Sequence, residues 1–380
     1  MIAVRLFSVA LVALGAIGCV AGPGASTAPA ATEPGVTASP SAAPSSTPAP
    51  SGASPLPSGL QNRVWYTQLD SDAQGRVRFV AGTLDGTSMI ALPPGSVPIV
   101  AGIDVVVVVE REGRGSSATS TLRSVSVADG TTRNLTTIPG SVETGVLLGN
   151  TVVVTGTSGE AGFAPAVLGV DLASGAVRAV IDSSRLPENP TATGVSRILT
   201  LSPSRNTMAV DLCQPGGDRC TATILGTGDW SVARSFDHPG FVRAVTDEVL
   251  IAGNDNWPGR IAGLGLADGR SRWSIEATTF SRGYATTSGT YVVTRFSGPD
   301  SPVELLLIDA SSGDARVVAS WSATKNLGLV PELSTDGTAV LATDPAGLIY
   351  PDSDGKIALA TVDLRSGALT EGALTFAVER

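Results

Sequence analysis

Three residues in one short span carry the clearest chemistry in this 380-residue chain: Cys213 and Cys220 in "CQPGGDRC", and His238 in "DHPG". The two cysteines flank a Pro-Gly-Gly turn, a spacing that suits a local disulfide in an oxidising compartment. A metal site is the competing reading, but no histidine or further cysteine lies nearby in the sequence to complete one. His238 is the only histidine, so sites that need two, such as H-E-x-x-H, are excluded. It precedes Pro239 in an expected turn; a nucleophile–His–acid triad through it and a carboxylate pair brought together by different blades are the hydrolytic constellations left open. The chain has no G-x-S-x-G elbow and no Walker A motif. No catalytic residue, metal ligand or cofactor is therefore assigned. Acidic loops remain: "DSDAQG" from Asp70, "PDSDG" with Asp352 and Asp354, and "NDNWPG". They have the oxygen-rich look of a Ca²⁺ loop, but Gln74 stands where an acid is expected and none ends in a bidentate Glu. Asp and Asn are also ordinary turn residues. Asp255 and Trp257 in "NDNWPG", with Tyr350, are the candidate ligand-binding residues. A loop aromatic beside an acid suits a sugar or a peptide, although Trp257 could equally pack on a neighbouring element.

The N-terminus "MIAVRLFSVALVALGAIGC" has one early basic residue, Arg5, then an apolar run from Leu6 to Ile17. That run is short for a mature membrane span and suits a secretory signal. "AIGC" resembles the bacterial lipobox, which implies cleavage before Cys19 and acylation of its thiol; cleavage near Ala21 is the alternative. Acyl chains contribute about 0.8 kcal/mol per buried methylene, so a multiply acylated Cys19 would hold the chain to a membrane. Residues 1–18 are read as the signal peptide and residues 19–60 as a lipidated, disordered tether rich in Ala, Pro, Ser and Thr. The net charge of −9 argues against nucleic acid as a partner.

The remaining residues, 61–380, must form whatever positions the candidates. Seven turn pairs punctuate them: Asp85-Gly86, Asp129-Gly130, Ser174-Gly175, Gly228-Asp229, Asp268-Gly269, Ser312-Gly313 and Ser366-Gly367. Each lies between two short strand-like runs, as in a β-hairpin, and successive turns are 40 to 54 residues apart. That period matches a four-stranded propeller blade. Two further apolar runs precede each turn from the second onward, whereas the first repeat starts late, at "RVWYTQL", without its first strand. The expectation is an all-β, seven-bladed propeller, with "ALTFAVER" (373–380) pairing into the first blade to close the ring. A β-sandwich is the alternative.

"LGVDLASGAVRAV", "LLIDASSGDARVV" and "GLADGRSRW" resemble the PQQ-like propeller repeat, and only the last keeps its Trp, Trp273. "LSPSRNTMAV" and "LSTDGTAVLA" resemble the TolB/WD40-like repeat. These resemblances imply a propeller and no particular activity or cofactor. The expected function is a non-enzymatic binding or scaffolding module for an envelope protein or glycan, anchored outside the cytoplasm by the lipid. An extracytoplasmic hydrolase or lyase with carboxylates near the channel is the alternative, and a sensor that signals through a partner is a further one.

Overall fold

The computed structural model describes residue 60 and residues 63–71, 77–84, 88–113, 118–157, 165–181, 196–213, 220–254, 259–277, 279–298, 301–343 and 356–375. They form seven antiparallel sheets arranged as the blades of a propeller. Blade 1 has three strands, β1 (Val64–Ser71), β2 (Val77–Thr83) and β3 (Met89–Ala91). Blade 2 has β4 (Ser96–Ala101), β5 (Val105–Glu112), β6 (Thr119–Ser126) and β7 (Thr132–Pro139). Blade 3 has β8 (Ser141–Leu148), β9 (Thr151–Thr157), β10 (Pro165–Asp171) and β11 (Val177–Ile181). Blade 4 has β12 (Ser196–Leu201), β13 (Thr207–Cys213), β14 (Cys220–Gly226) and β15 (Val232–His238). Blade 5 has β16 (Phe241–Val245), β17 (Val249–Asn254), β18 (Gly259–Gly265) and β19 (Ser271–Ala277). Blade 6 has β20 (Thr279–Ala285), β21 (Thr290–Phe296), β22 (Val303–Asp309) and β23 (Ala315–Trp321). Blade 7 has β24 (Leu327–Leu329), β25 (Thr338–Thr343), β26 (Lys356–Asp363) and β27 (Leu369–Thr375). The first strand of each complete blade stands beside the first strand of the next, from β4 round to β24. The ring is completed where β1 meets both β4 and the turn at Pro331–Leu333 of blade 7.

The two middle strands of each blade are buried on both faces, because each blade is sandwiched between neighbours. Val106 to Val109, Val152 to Val154, Leu250 to Ala252 and Ala339 to Ala342 are all essentially inaccessible. That is why these strands read as unbroken apolar runs and not as alternation. The fourth strands, such as β7 and β23, are mostly exposed.

The hairpins that end each blade are built by Asp and Ser. Asp171 Oδ1 accepts from the backbone N–H of Ala173 at 3.0 Å and of Ser174 at 2.7 Å. Asp309 does the same for Ser311 and Ser312, and Asp363 for Arg365 and Ser366. The Ser174 hydroxyl on Asp171, the Ser311 hydroxyl on Asp309 and the Ser366 N–H on Asp363, together with the other hydrogen bonds of each turn, hold all three carboxyl groups below the usual carboxylate range. The residue that follows takes positive φ: Gly130, Gly175, Gly269, Gly313 and Gly367, with Trp230 in that place in blade 4.

Each turn docks on the outer strand of the preceding blade. A Cβ on Gly175 would overlap the Leu135 carbonyl of β7, and one on Gly367 would overlap the Val318 carbonyl of β23. Gly269 abuts Phe236, and Gly313 abuts Trp273. The outer strands donate hydrogen bonds in return. Arg133 reaches the carbonyls of Leu172 and Ala173, and Arg234 that of Ala267. Trp273 Nε1 bonds the Ala310 carbonyl at 2.8 Å, and Arg316 reaches Leu364. At the blade 3–4 junction Arg178 lies 5.9 Å over the ring of Trp230.

Two sequence expectations about closure resolve differently. Blade 1 does lack its first strand among the described residues. The expected closing segment is a correction: Ala373, Leu374 and Thr375 pair with Ala358, Ile357 and Lys356 inside blade 7. The register of β26 continues through seven pairs, so 373–375 complete the last blade and do not enter the first. Residues 376–380 lie outside the described residues. Blade 1 meets blade 7 through side chains: Leu60, Trp65 and Leu84 pack with Val330, Leu333 and Val340.

Gly175→Ala should cost about 2 kcal/mol or more in urea unfolding, since it adds a clash across the blade interface to the left-handed penalty. Gly149→Ala, also at positive φ but with open space around it, should cost about 1 kcal/mol. Equal losses would show that the docking contact is energetically idle.

Candidate functional site

On the face that carries these turns, here called the mouth of the ring, the neighbouring blades 6, 7 and 1 bring polar residues together: Arg63 and Tyr66 from blade 1, Arg282 and Tyr284 from blade 6, and Glu332 and Asp336 from blade 7. Local backbone irregularity puts Arg282 there. A bulge in β20 between Phe280 and Gly283 takes Ser281 and Arg282 out of the ladder, and bulges of this kind re-aim side chains. Arg205 sits in the β12–β13 turn at φ +62°, with its side chain exposed.

Blade 7 is the hub. Arg63 Nη1 donates to the Glu332 carbonyl at 3.1 Å, and Arg282 Nη1 lies 3.4 Å from Glu332 Oε1. Tyr284 donates its hydroxyl to the Thr335 carbonyl at 2.9 Å. Asp336 accepts from both the backbone and the hydroxyl of Thr287. Burial lowers the Arg63 pKa, with Arg205 acting in the same direction and Tyr284 and Asp336 opposing. Burial also pushes the Tyr66 phenol up to about 12, helped by Glu332 and opposed by Arg282. Tyr284 is raised as well, chiefly by burial. The mouth thus presents fixed guanidinium donors, a carboxylate and neutral phenols. Such a set offers hydrogen-bond donors and an acceptor side by side.

Cys213 and Cys220 form the expected disulfide, joining facing residues of β13 and β14. His238 is not in an open turn: it ends β15, opposite Cys220, with its side chain fully buried. Its Nε2 lies 3.0 Å from Asp211 Oδ1. That burial withholds it from any substrate and removes the triad. Cys19, Asp255, Trp257, Tyr350 and the core of each acidic loop lie outside the described residues. Reading the sequence missed Arg63, Arg282, Glu332 and Tyr284, which no local motif unites. It also missed Asp211, whose signal was its position two residues before Cys213 on the same strand face.

No protein-family model matches the chain, and no curated protein matches it. Solved structures do. A structure from an analysis of two prolyl endopeptidases aligns with TM-score 0.51 and 10% identity, covering 83% of this chain and 50% of that one. A puromycin-hydrolysing peptidase of Mycobacterium tuberculosis gives 0.50 and 13%, covering 83% and 52%. TolB of Acinetobacter baumannii gives 0.42 and 11%, covering 82% and 79%. This chain spans about half the length of the two peptidases. At such identities the likeness is of fold alone: the chain is a seven-bladed β-propeller, with TolB and other propeller proteins among its neighbours.

The two phenols predict an alkaline limb of stability. An unfolded tyrosine ionises near pH ~10, whereas folded Tyr66 keeps its proton to about 12, so stability is complete below pH ~10 and falls as pH rises through that window. In urea unfolding at pH 8 and pH 11, Tyr66→Phe should lose less stability between the two than the parent chain. An unchanged loss would remove Tyr66 from the account.

Proposed function

We propose that this chain is a membrane-anchored extracytoplasmic lipoprotein whose propeller is a non-enzymatic binding or scaffolding module for an envelope protein or glycan. The observation that carries the reading is the mouth built on Glu332. Its donors and acceptors come from three adjacent blades, with Arg63 and Tyr284 held by backbone carbonyls of blade 7 and Arg282 paired with Glu332, a polar surface suited to recognition. The Cys213–Cys220 disulfide fits an oxidising compartment, in keeping with the signal and lipobox pattern before Cys19. Burial of His238 takes away the chain's one group with an intrinsic pKa near neutrality.

A second reading, a hydrolase or lyase, draws on the Glu332 carboxylate at the same mouth. It requires that carboxylate to exchange its arginine partner for a substrate proton.

The test is capture of partners from an envelope extract of the source organism with the detergent-solubilised full-length chain, read by mass spectrometry, with a glycan array alongside. One dominant partner or glycan is expected, weakened at least tenfold by Arg63→Ala with Arg282→Ala. Loss on Trp257→Ala with no effect of the arginine pair would move the binding surface to the strand 2–3 loops. No retained partner, together with substrate turnover abolished by Glu332→Gln, would establish the enzyme reading instead. Cys19→Ser should shift the chain from the membrane to the soluble fraction, and membrane retention of that variant would overturn the lipid anchor.

A further inference from the structure

Blade 4 buries four metal-ligating side chains on one face, and the binding reading uses none of them. Cys213 ends β13, Cys220 begins β14 directly opposite it, and His238 ends β15 opposite Cys220. Asp211 is two residues before Cys213 and so shares its face. All four are buried. Asp211 Oδ2 lies 3.3 Å from Cys213 Sγ, and Asp211 Oδ1 lies 3.0 Å from His238 Nε2. One carboxylate oxygen and the two sulfurs lie within 4.8 Å of one another.

A disulfide is apolar and needs no such company. Burying a carboxylate and an imidazole beside it carries a desolvation cost that their mutual contact only partly offsets. His238 faces this cluster through Nε2, while its Nδ1 is buried with no hydrogen-bond partner among the described residues. Two sulfurs, a carboxylate and an imidazole form a donor set suited to a tetrahedral d¹⁰ ion. Ligands at about 2.0–2.3 Å from such an ion stand about 3.3–3.7 Å apart, and small side-chain shifts from the 3.3 Å (Oδ2 to Cys213 Sγ) and 3.0 Å (Oδ1 to His238 Nε2) separations at Asp211 would reach that spacing. The Val242 N–H, 2.8 Å from Asp211 Oδ2, would orient the carboxylate as an outer-shell donor.

We propose that the dithiol form of this chain binds one Zn²⁺ between Cys213, Cys220, Asp211 and His238, and that disulfide formation releases it. The chemistry balances with a small dithiol as the reductant. The S–S bond takes two electrons and two protons from the dithiol, which closes to its own disulfide. Zn²⁺ then displaces both thiol protons to solvent and binds the two thiolates. Oxidation by a disulfide-bearing partner runs the same steps in reverse: the two thiolates give up two electrons, the S–S bond re-forms and the ion departs.

The experiment titrates the full-length chain with Co²⁺ as a spectroscopic probe, in the disulfide form and after anaerobic reduction by a phosphine that is then removed. The reduced chain should bind one Co²⁺, with sulfur-to-metal charge transfer and the intense visible bands of tetrahedral cobalt, and one Zn²⁺ should bleach both. The disulfide form should show neither. His238→Ala should weaken Zn²⁺ at least tenfold against a chromophoric chelator, Cys213→Ser should weaken the charge-transfer band, and Cys213→Ser with Cys220→Ser should abolish it. If reduction unfolds the chain, refolding with Zn²⁺ should restore the β-sheet circular dichroism, whereas refolding with a chelator should not. A folded reduced chain that binds no metal, equal binding by the disulfide form, or an unfolded reduced chain that Zn²⁺ cannot rescue would each overturn the proposal.

Discussion

A blade can join this ring only if its terminal hairpin fits against the outer strand of the blade before it. The hairpin offers backbone carbonyls, and at the seam these need donors that water supplies less readily. Arg133, Arg234, Trp273 and Arg316 supply them from the preceding blade. The same seam demands a close approach, so the left-handed residue is glycine in five of the turns named above. Blade 4 shows what happens when that demand is relaxed. Trp230 takes the left-handed position, and its ring fills the seam under Arg178 and against the apolar side chains of the blade 3–4 core. Each such hydrogen bond contributes only about 1 kcal/mol, so cohesion comes from repetition around the circle and from the apolar cores between blades.

The seam between blades 7 and 1 is built differently. Blade 1 brings three strands, and its contact with blade 7 is an apolar cluster around Trp65 and Leu333, with Arg63 bonded across it to the Glu332 carbonyl. Leu60, at the end of the stretch read as tether, is fully buried in that cluster, so the chain is gripped as it enters the fold. The contact that completes the ring is therefore also the contact that fixes the Arg63–Glu332–Arg282 group. The polar group at the mouth and the ring closure share one set of residues, which ties the geometry of the mouth to the integrity of the seam.

The architecture was legible because its determinants are local. Asp-x-x-Ser-Gly is a turn whose hydrogen bonds span only a few residues, and a run such as Val105 to Val109 identifies a strand buried on both faces. The ring-closing strand was misread because "ALT" at 373–375 suits an outer strand and an inner strand equally, and only the register with β26 decides. The site was illegible for a related reason. Arg63 and Glu332 are 269 residues apart, and no spacing rule joins them. Blade 4 is an intermediate case. Counting residues through its two hairpins would have placed His238 beside Cys220, but turn lengths have to be known before that count can be made.

Burial and charge together bear on whether the mouth can do chemistry as well as bind. Proton transfer near neutral pH needs a group that titrates there. His238 would have been that group, and it is enclosed in blade 4 against Asp211. The phenols at the mouth move the wrong way, since burial raises both Tyr66 and Tyr284 above the ordinary tyrosine value. Glu332 Oε1 faces Arg282 Nη1 at 3.4 Å, which sets an acceptor beside a donor. In the proposed reading, guanidinium donors, a carboxylate and phenols kept neutral by burial would hold a ligand through directional hydrogen bonds.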